Sequence, residues 1–457
     1  MWSYVAAVKP NLGWALVKSK SYHRRGPRIA RALSIFARSR GLNIAGMNAP
    51  TSPYALYSDA APEGAATIDV DPFSVEFFAD PYPAHAALRD LGPVVWLSRY
   101  NIIATARYQE VRQALNDHKT FSSARGVGLA DFNRHGRFRL PSLILEVDPP
   151  THSRSRAALM KALSPAVMRS LRESFVVAAE EMVSVLVAKG EIDGCSELAE
   201  AYPLKVFPDA IGMRPDNRHN LLPYGDMVFN SFGPPNELFQ AAAKRAQEVF
   251  PWVEAEALRT HLKAGGFGMI LYQCADAGEI TEDEAHKLVR SMLTAGVDTT
   301  VNGIGAALYA LARYPEQWEK MRADSARLAK AAFEEAVRFE SPVQTFFRTT
   351  TCATELGGVK LEKGRKILLF LGAANRDPRQ WQNPDEYNIE RKVLGHVGFG
   401  AGIHVCVGQL LARLEGEVVL QALAKHVRRI ELAGEPERRF NNTLRGLKRL
   451  PLRFVPA

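Results

Sequence analysis

Residues 398–408 read GFGAGIHVCVG: Cys406 sits among closely spaced glycines, with Phe399 and His404 before it and Gly408 after it. A disulfide, a packed thiol and a metal ligand would each explain part of this stretch. Downstream, Leu410, Leu411, Leu414, Val418 and Leu420 recur at roughly helical spacing, so Cys406 stands where a helix begins. A thiol there feels the positive end of the helix dipole, which favours the thiolate. The glycines let the backbone come close and aim N–H groups at the sulfur.

The other cysteines, Cys195, Cys274 and Cys352, are far apart in the sequence, and no CxxC pair occurs. This is neither a zinc pattern nor a small disulfide framework. A reduced, cytoplasmic chain is the expectation. A lone cysteine is more often a small buried hydrophobe than a ligand. A thiolate held by glycine N–H groups, however, is suited to be the axial ligand of haem iron.

The 457 residues and 47% apolar share allow a large core, in one large domain or in two to three smaller ones. The net charge of +9 is local. Of the 58 Lys and Arg, nine lie in residues 1–46, which contain no Asp or Glu; the other 49 balance 49 acidic residues. The main body therefore needs no polyanionic partner, and nucleic-acid binding is not expected. Residues 1–46 read as a basic N-terminal extension, either a disordered tail or a stretch upstream of a true start at Met47. A transit peptide or a membrane-surface helix is the other reading. No run of about 18 apolar residues occurs, so no integral membrane anchor is expected.

Residues 47–70 are rich in Pro, Ala and Ser and read as a linker. From 71 to 457 the patterns suggest one mainly helical domain with a minor sheet component. A long helix opens at Ser164-Pro165. Another helical pattern runs from Thr281 to Tyr314, with Glu282, Asp283 and Glu284 in its first turn. Residues 366–371 read as a buried strand, and 379–400 as a meander without periodicity.

The arrangement Phe399-Gly400-x-Gly402-x-His404-x-Cys406-x-Gly408 is highly specific, and the chain resembles the cytochrome P450 superfamily from about Asp71 to the C-terminus. The resemblance implies a helical bundle with small sheets around haem b, held by the Cys406 thiolate, with Phe399 and Gly408 in the cofactor loop. Three further stretches agree. Residues 295–300 read AGVDTT within the long helical pattern, which alone would suit a small-residue packing face. Here Gly296 is expected to leave space above the haem, and Thr299 to bond back to the Ala295 carbonyl and open the helix. The resemblance makes Asp298 and Thr299 the acid–alcohol pair that passes protons to dioxygen. Glu335 and Arg338, three apart, would alone be a surface ion pair. In the family the pair is buried and joined by a meander arginine, here Arg391. His152 and Arg156 share a helix face and suit one haem propionate; Arg348 and His404 resemble the partners of the other. Each of these taken singly would more often be a solvated charge.

A narrower resemblance is to the bacterial monooxygenases of para-substituted benzoates such as 4-methoxybenzoate. Residues 288–291, 300–307, 333–351 and 439–446 carry it. It implies a carboxylate site made by Arg139 and Ser142, with Arg290 and Ser291 as a second pair. It implies an apolar slot from Leu145, Phe229, Phe232, Val343 and Phe346, with Ala295 and Gly296 beside the iron. Spacing alone would make each phenylalanine ordinary core. Two features depart from the pattern: Thr294 stands where serine is expected, and Arg134 and Arg137 crowd Arg139. The expected reaction is O-demethylation to 4-hydroxybenzoate. The sequence has no flavin or iron–sulfur motif, so the resemblance implies a [2Fe–2S] ferredoxin and its NAD(P)H reductase, docking near Cys406 with help from Arg413. The chain is expected to act as a monomer. The alternatives are a longer aromatic or aliphatic acid on the same anchor, and a haem-thiolate sensor without turnover, against which Asp298 and Thr299 argue.

Overall fold

The computed structural model describes residues 56–136 and 139–457. The extension 1–46 and the first residues of the 47–70 stretch lie outside the described residues. Where the chain enters at residue 56 it is already packed. Tyr57 is buried and donates its hydroxyl to the Leu129 carbonyl at 2.6 Å. Ala66–Ile68 (β1) pairs in parallel with Val95–Leu97 (β2). The sheet thus begins inside the stretch read as a linker, because a short Ala-Thr-Ile strand supplies backbone pairing that composition does not reveal.

The fold is mainly α with small sheets, as expected. The largest sheet adds Ile102–Thr105 (β3), Phe121–Ser122 (β4), Thr345–Thr350 (β5) and Lys366–Phe370 (β6), in the order β1-β2-β3-β6-β5-β4. β6 is buried at every position, which explains the apolar run from Ile367 to Phe370 after buried Lys366.

Most of the core lies among helices. Thr151–Ala162 (α1) precedes Pro165–Lys189 (α2), where Ser164 caps the Val167 N–H and Pro165 takes the first helical position. Leu221–Asn230 (α3) and Glu237–Glu256 (α4) follow. The long helical pattern is two helices. Glu282–Ala295 (α5) starts at a capping box between Thr281 and Glu284, and Asp298–Arg313 (α6) follows after Gly296 and Val297. The Thr299 hydroxyl donates to the Ala295 carbonyl at 2.9 Å, so the expected local opening is a full break.

Ser325–Glu340 (α7) packs on Gln409–His426 (α8). The ring of Phe333 on α7 occupies the space a side chain at Gly416 would need. Buried Glu335 on α7 accepts two hydrogen bonds from buried Arg338, at 2.7 and 2.8 Å, and one from Arg391 at 3.1 Å. Arg338 also donates to the carbonyls of Asn375, Pro384 and Glu386. One carboxylate and two guanidiniums therefore tie α7 to the meander that leads to Cys406. Finally, Glu437–Phe440 (β7) and Arg445–Arg449 (β8) form a hairpin, and β8 packs on α6.

Candidate active site

Cys406 precedes α8, whose N-cap is Gly408. Its backbone N–H donates to the Phe399 carbonyl at 2.8 Å, which closes the loop. Gly400 and Gly402 have φ of +72° and +66°, a conformation that disfavours side chains. A side chain at Gly402 would also strike the Leu115 carbonyl. Burial pushes the thiol pKa up, while the N–H groups of Gly408 and Gln409 and the charges of Arg156 and Arg413 pull it back. The terminal N–H groups favour the thiolate, as expected, but burial outweighs them. A cation on the sulfur would complete the ionisation.

The residues beside this loop fit an anionic cofactor. Arg156 donates to the Val405 carbonyl at 2.5 Å. The His152 and His404 rings lie 4.4 Å apart, and both Nε2 atoms are buried without a hydrogen-bond partner. His404 Nδ1 is 3.2 Å from the Ile144 carbonyl, and its Nε2 is 3.9 Å from Asp148 Oδ1, so both ring nitrogens face acceptors that favour a proton. Burial, then the charges of His404 and Arg156, lower His152 to about 4, so it is a neutral donor rather than a cation at neutral pH. Arg348 is 2% exposed, gives Nη1 to the Phe347 carbonyl, and has no carboxylate partner among the described residues. Asp148 supplies charge only at longer range, so this buried guanidinium, with no ion pair, calls for a nearer anion. Haem propionates would meet that need.

The segment from Arg139 to Arg156 links this loop to α5. The hydroxyls of Ser142 and Ser291 are 3.4 Å apart. Leu145, Val343 and Phe346 pack around buried Phe229 and Phe232 in one apolar cluster, together with Val127, Val228 and Leu444. Phe232 meets Phe229 edge-on at 5.8 Å and Phe346 at 5.9 Å. The Arg139 guanidinium lies 5.0 Å from the Phe232 ring centroid, a cation–π contact at the rim of the cluster. The Thr299 hydroxyl bond to the Ala295 carbonyl brings these two residues together across the helix break.

Several expectations need correction. The missing side chain of Gly296 faces buried Phe207, whose ring lies 2.3 Å from where a Cβ would stand; this glycine admits a neighbouring helix rather than clearing space above a haem. Arg139 is not a lone cation: it forms a bidentate pair with buried Glu146. Glu146 also accepts from the backbone N–H groups of Ser142 and Val127. Arg290 pairs with Glu254 at 2.9 Å, and so sits apart from Ser291's contact with Ser142. Arg413 is bound to Glu334 at 2.6 Å and lies over Phe399, so it is not a free surface charge for docking. Sequence reasoning also missed buried Tyr224, whose hydroxyl pKa burial raises beside the charges of Arg290 and Glu254. No local pattern marks Glu146, Glu254 or Tyr224, because each finds its partners only through folding.

The fold and the cysteine loop together define a haem-thiolate protein. The family model described as Cytochrome P450 matches residues 267–453. Cytochrome p450 CYP199A2 of Rhodopseudomonas palustris is 57% identical over 395 residues, covering 86% of this chain and 96% of that protein. The beta-dihydromenaquinone-9 omega-hydroxylase of Mycobacterium tuberculosis is 32% identical, covering 85% and 79%. Among solved structures, cytochrome P450 CYP109Q5 from Chondromyces apiculatus superposes with a TM-score of 0.72 at 30% identity, covering 86% of this chain and 99% of that one. The chain belongs to the cytochrome P450 family. It is a monooxygenase whose cofactor is haem with a cysteine thiolate on the iron, and it relies on redox partners for electrons. Among the described residues no helix is long and apolar enough to cross a membrane.

Proposed function

We propose that the chain oxidises para-substituted benzoic acids, converting 4-methoxybenzoate to 4-hydroxybenzoate and formaldehyde. One dioxygen, two electrons and two protons are consumed, and water leaves with the second oxygen atom. The observation that carries this reading is the aromatic cluster of Phe229, Phe232 and Phe346, with Arg139 on its rim and the Ser142 and Ser291 hydroxyls together nearby. Such a site takes a flat ring and one anionic end.

Each residue has a distinct role in this reading. Arg139, Ser142 and Ser291 hold the carboxylate, which orients the para group toward the cofactor. Leu145, Val343 and the phenylalanines exclude water and fix the ring plane. Arg290 acts through its pair with Glu254 rather than by direct contact. Bound haem, ligated by Cys406, supplies dioxygen activation. His152, Arg156, Arg348 and His404 hold its propionates. Thr299 donates a proton on the face it shares with Ala295, and Asp298 replenishes it from the other side of the helix. A [2Fe–2S] ferredoxin and its NAD(P)H reductase deliver the electrons.

The test is a titration of the ferric holoprotein with 4-methoxybenzoate, read at the Soret band. A low-to-high-spin shift at micromolar ligand supports the reading. No shift with benzoates, but a shift with longer aromatic or aliphatic acids, would replace the substrate and keep the anchor.

A further inference from the structure

A cleft of about 330 Å³ lies between the helix Tyr82–Leu91 and the residues that follow β6. Small-molecule sites begin at roughly 300 Å³. None of the residues lining it belongs to the cysteine loop or to the aromatic cluster around Phe232.

Two guanidiniums line this cleft, and both are almost fully buried: Arg89 is 7% exposed and Arg376 5%. Burial of a guanidinium demands partners for its five N–H groups. Arg89 donates from Nη1 to the Ala373 carbonyl at 2.9 Å and forms no ion pair among the described residues. The acid whose charge it feels most, Asp377, already accepts from the Tyr108 N–H at 2.9 Å and from Arg379 at 3.1 Å. The Arg376 guanidinium is held between two rings, 3.7 Å from the Tyr82 centroid and 3.8 Å from that of Phe339. Its Nε donates to the Phe339 carbonyl and its Nη1 to Asp385 at 3.2 Å, but its buried Nη2 has no hydrogen-bond partner. Glu340 stands 4.0 Å from Nη2 and already accepts from Arg438 and Arg445, at 2.9 and 3.1 Å.

The unmet groups of the cleft are therefore donors. Asp80 and Asp385 also line it, and their charges offset those of the two arginines, so a dianion would be repelled where a monoanion is not. The Tyr82 ring, Pro83 and Ala86 supply apolar wall.

We propose that this cleft is a second ligand site, which binds a small organic monocarboxylate. The carboxylate lies between Arg89 and Arg376, and the apolar part of the ligand lies along Tyr82, Pro83 and Ala86. A carboxylate brings two coplanar acceptors that match a guanidinium fork. The cleft shares no residue with the cysteine loop, so its ligand leaves the Soret band unchanged. The proposal does not rest on the identity of the enzyme's substrate.

The experiment is equilibrium dialysis of the ferric holoprotein against radiolabelled benzoate, run beside a Soret titration with the same acid. The expected result is one bound benzoate per chain that the Soret band does not register. Arg89→Gln is expected to weaken that binding at least tenfold, as for loss of a charged hydrogen bond. Ala86 is half-buried on the helix wall, and Ala86→Phe is expected to fill the cleft and abolish the binding. Both variants keep the wild-type Soret titration. Absence of a Soret-silent benzoate at millimolar concentration would overturn the site. So would a Soret-silent benzoate that Ala86→Phe leaves undiminished, whether or not Arg89→Gln folds. Labelled phosphate bound in its place, and lost in Ala86→Phe, would overturn the carboxylate assignment. A failure of the benzoate reading at the haem removes only the Soret response and leaves the silent equivalent in place.

Discussion

Arg139 grips Glu146 with both ends of its guanidinium, Nη1 and Nη2 each lying 2.6 Å from a carboxylate oxygen. The acid is fully buried and the arginine partly exposed, so the pair closes the rim of the aromatic cluster from within. A substrate carboxylate at the proposed site would share Arg139 with Glu146 instead of meeting an isolated cation. The same holds at Arg290, where Glu254 already supplies a negative charge.

Removing Arg139 therefore does two things at once. Arg139→Ala strands the buried Glu146 charge, at a cost of about 3 kcal/mol, the lower end for broken buried pairs because the arginine is partly exposed. It also lowers affinity for 4-methoxybenzoate at least tenfold. The double variant Arg139→Ala/Glu146→Gln recovers part of the stability without recovering the affinity. Thermal denaturation and Soret titration of the four proteins of this cycle separate the effects. Equal affinity in wild type and double variant would remove Arg139 from the carboxylate site.

Gly296 is expected to reject a methyl group. Gly296→Ala overpacks against the Phe207 ring and destabilises by about 1–3 kcal/mol, typical of an added methyl in a filled core. Combining it with Phe207→Leu restores part of the loss. A fully stable Gly296→Ala protein with an altered haem spectrum would place this glycine against the cofactor after all.

The clamp on the meander is expected to be needed for haem retention. Glu335→Ala leaves Arg338 fully buried without its counter-ion, which costs about 3–5 kcal/mol. Arg391→Ala is milder, because Arg391 is partly exposed and Glu335 keeps its two bonds from Arg338. Haem-to-protein ratio and urea midpoint check the order, with Glu335→Ala losing more of both.

Acid destabilisation should centre on Glu340. Burial alone would raise its pKa, but the charges of Arg438, Arg445 and Arg376 overcome burial and hold it at about 2. A folded pKa below the unfolded one adds stability at higher pH, and that stability fades as the pH falls from about 4.5 toward 2. Glu334, bound by Arg413 and His396, behaves in the same direction. Urea midpoints at pH 5 and pH 3 should differ strongly in the wild type and less in Glu340→Gln. An equal pH dependence in the two proteins would exclude Glu340 as a contributor.

What the amino-acid sequence determined by itself were the features set by short-range geometry. The glycines around Cys406 permit a loop with positive φ and close backbone contacts. Thr299 can reach only the Ala295 carbonyl one turn back. Glu335 and Arg338, three apart, meet on one helix face. Leu145, Phe229, Phe232, Val343 and Phe346 were also legible, through a family resemblance rather than through spacing.

Only the tertiary structure decided the electrostatics. Glu146 lies seven residues from Arg139, but Glu254 is 36 from Arg290, and Arg439, near the far end of the chain, lines the same small cavity as Asp298. A carboxylate in a sequence carries no mark of which guanidinium will neutralise it. Burial makes that choice matter, because charges interact strongly once water is excluded. Tertiary packing likewise set Gly296 against Phe207 and Arg413 beside Glu334: both face neighbours that approach only when elements distant in sequence pack together.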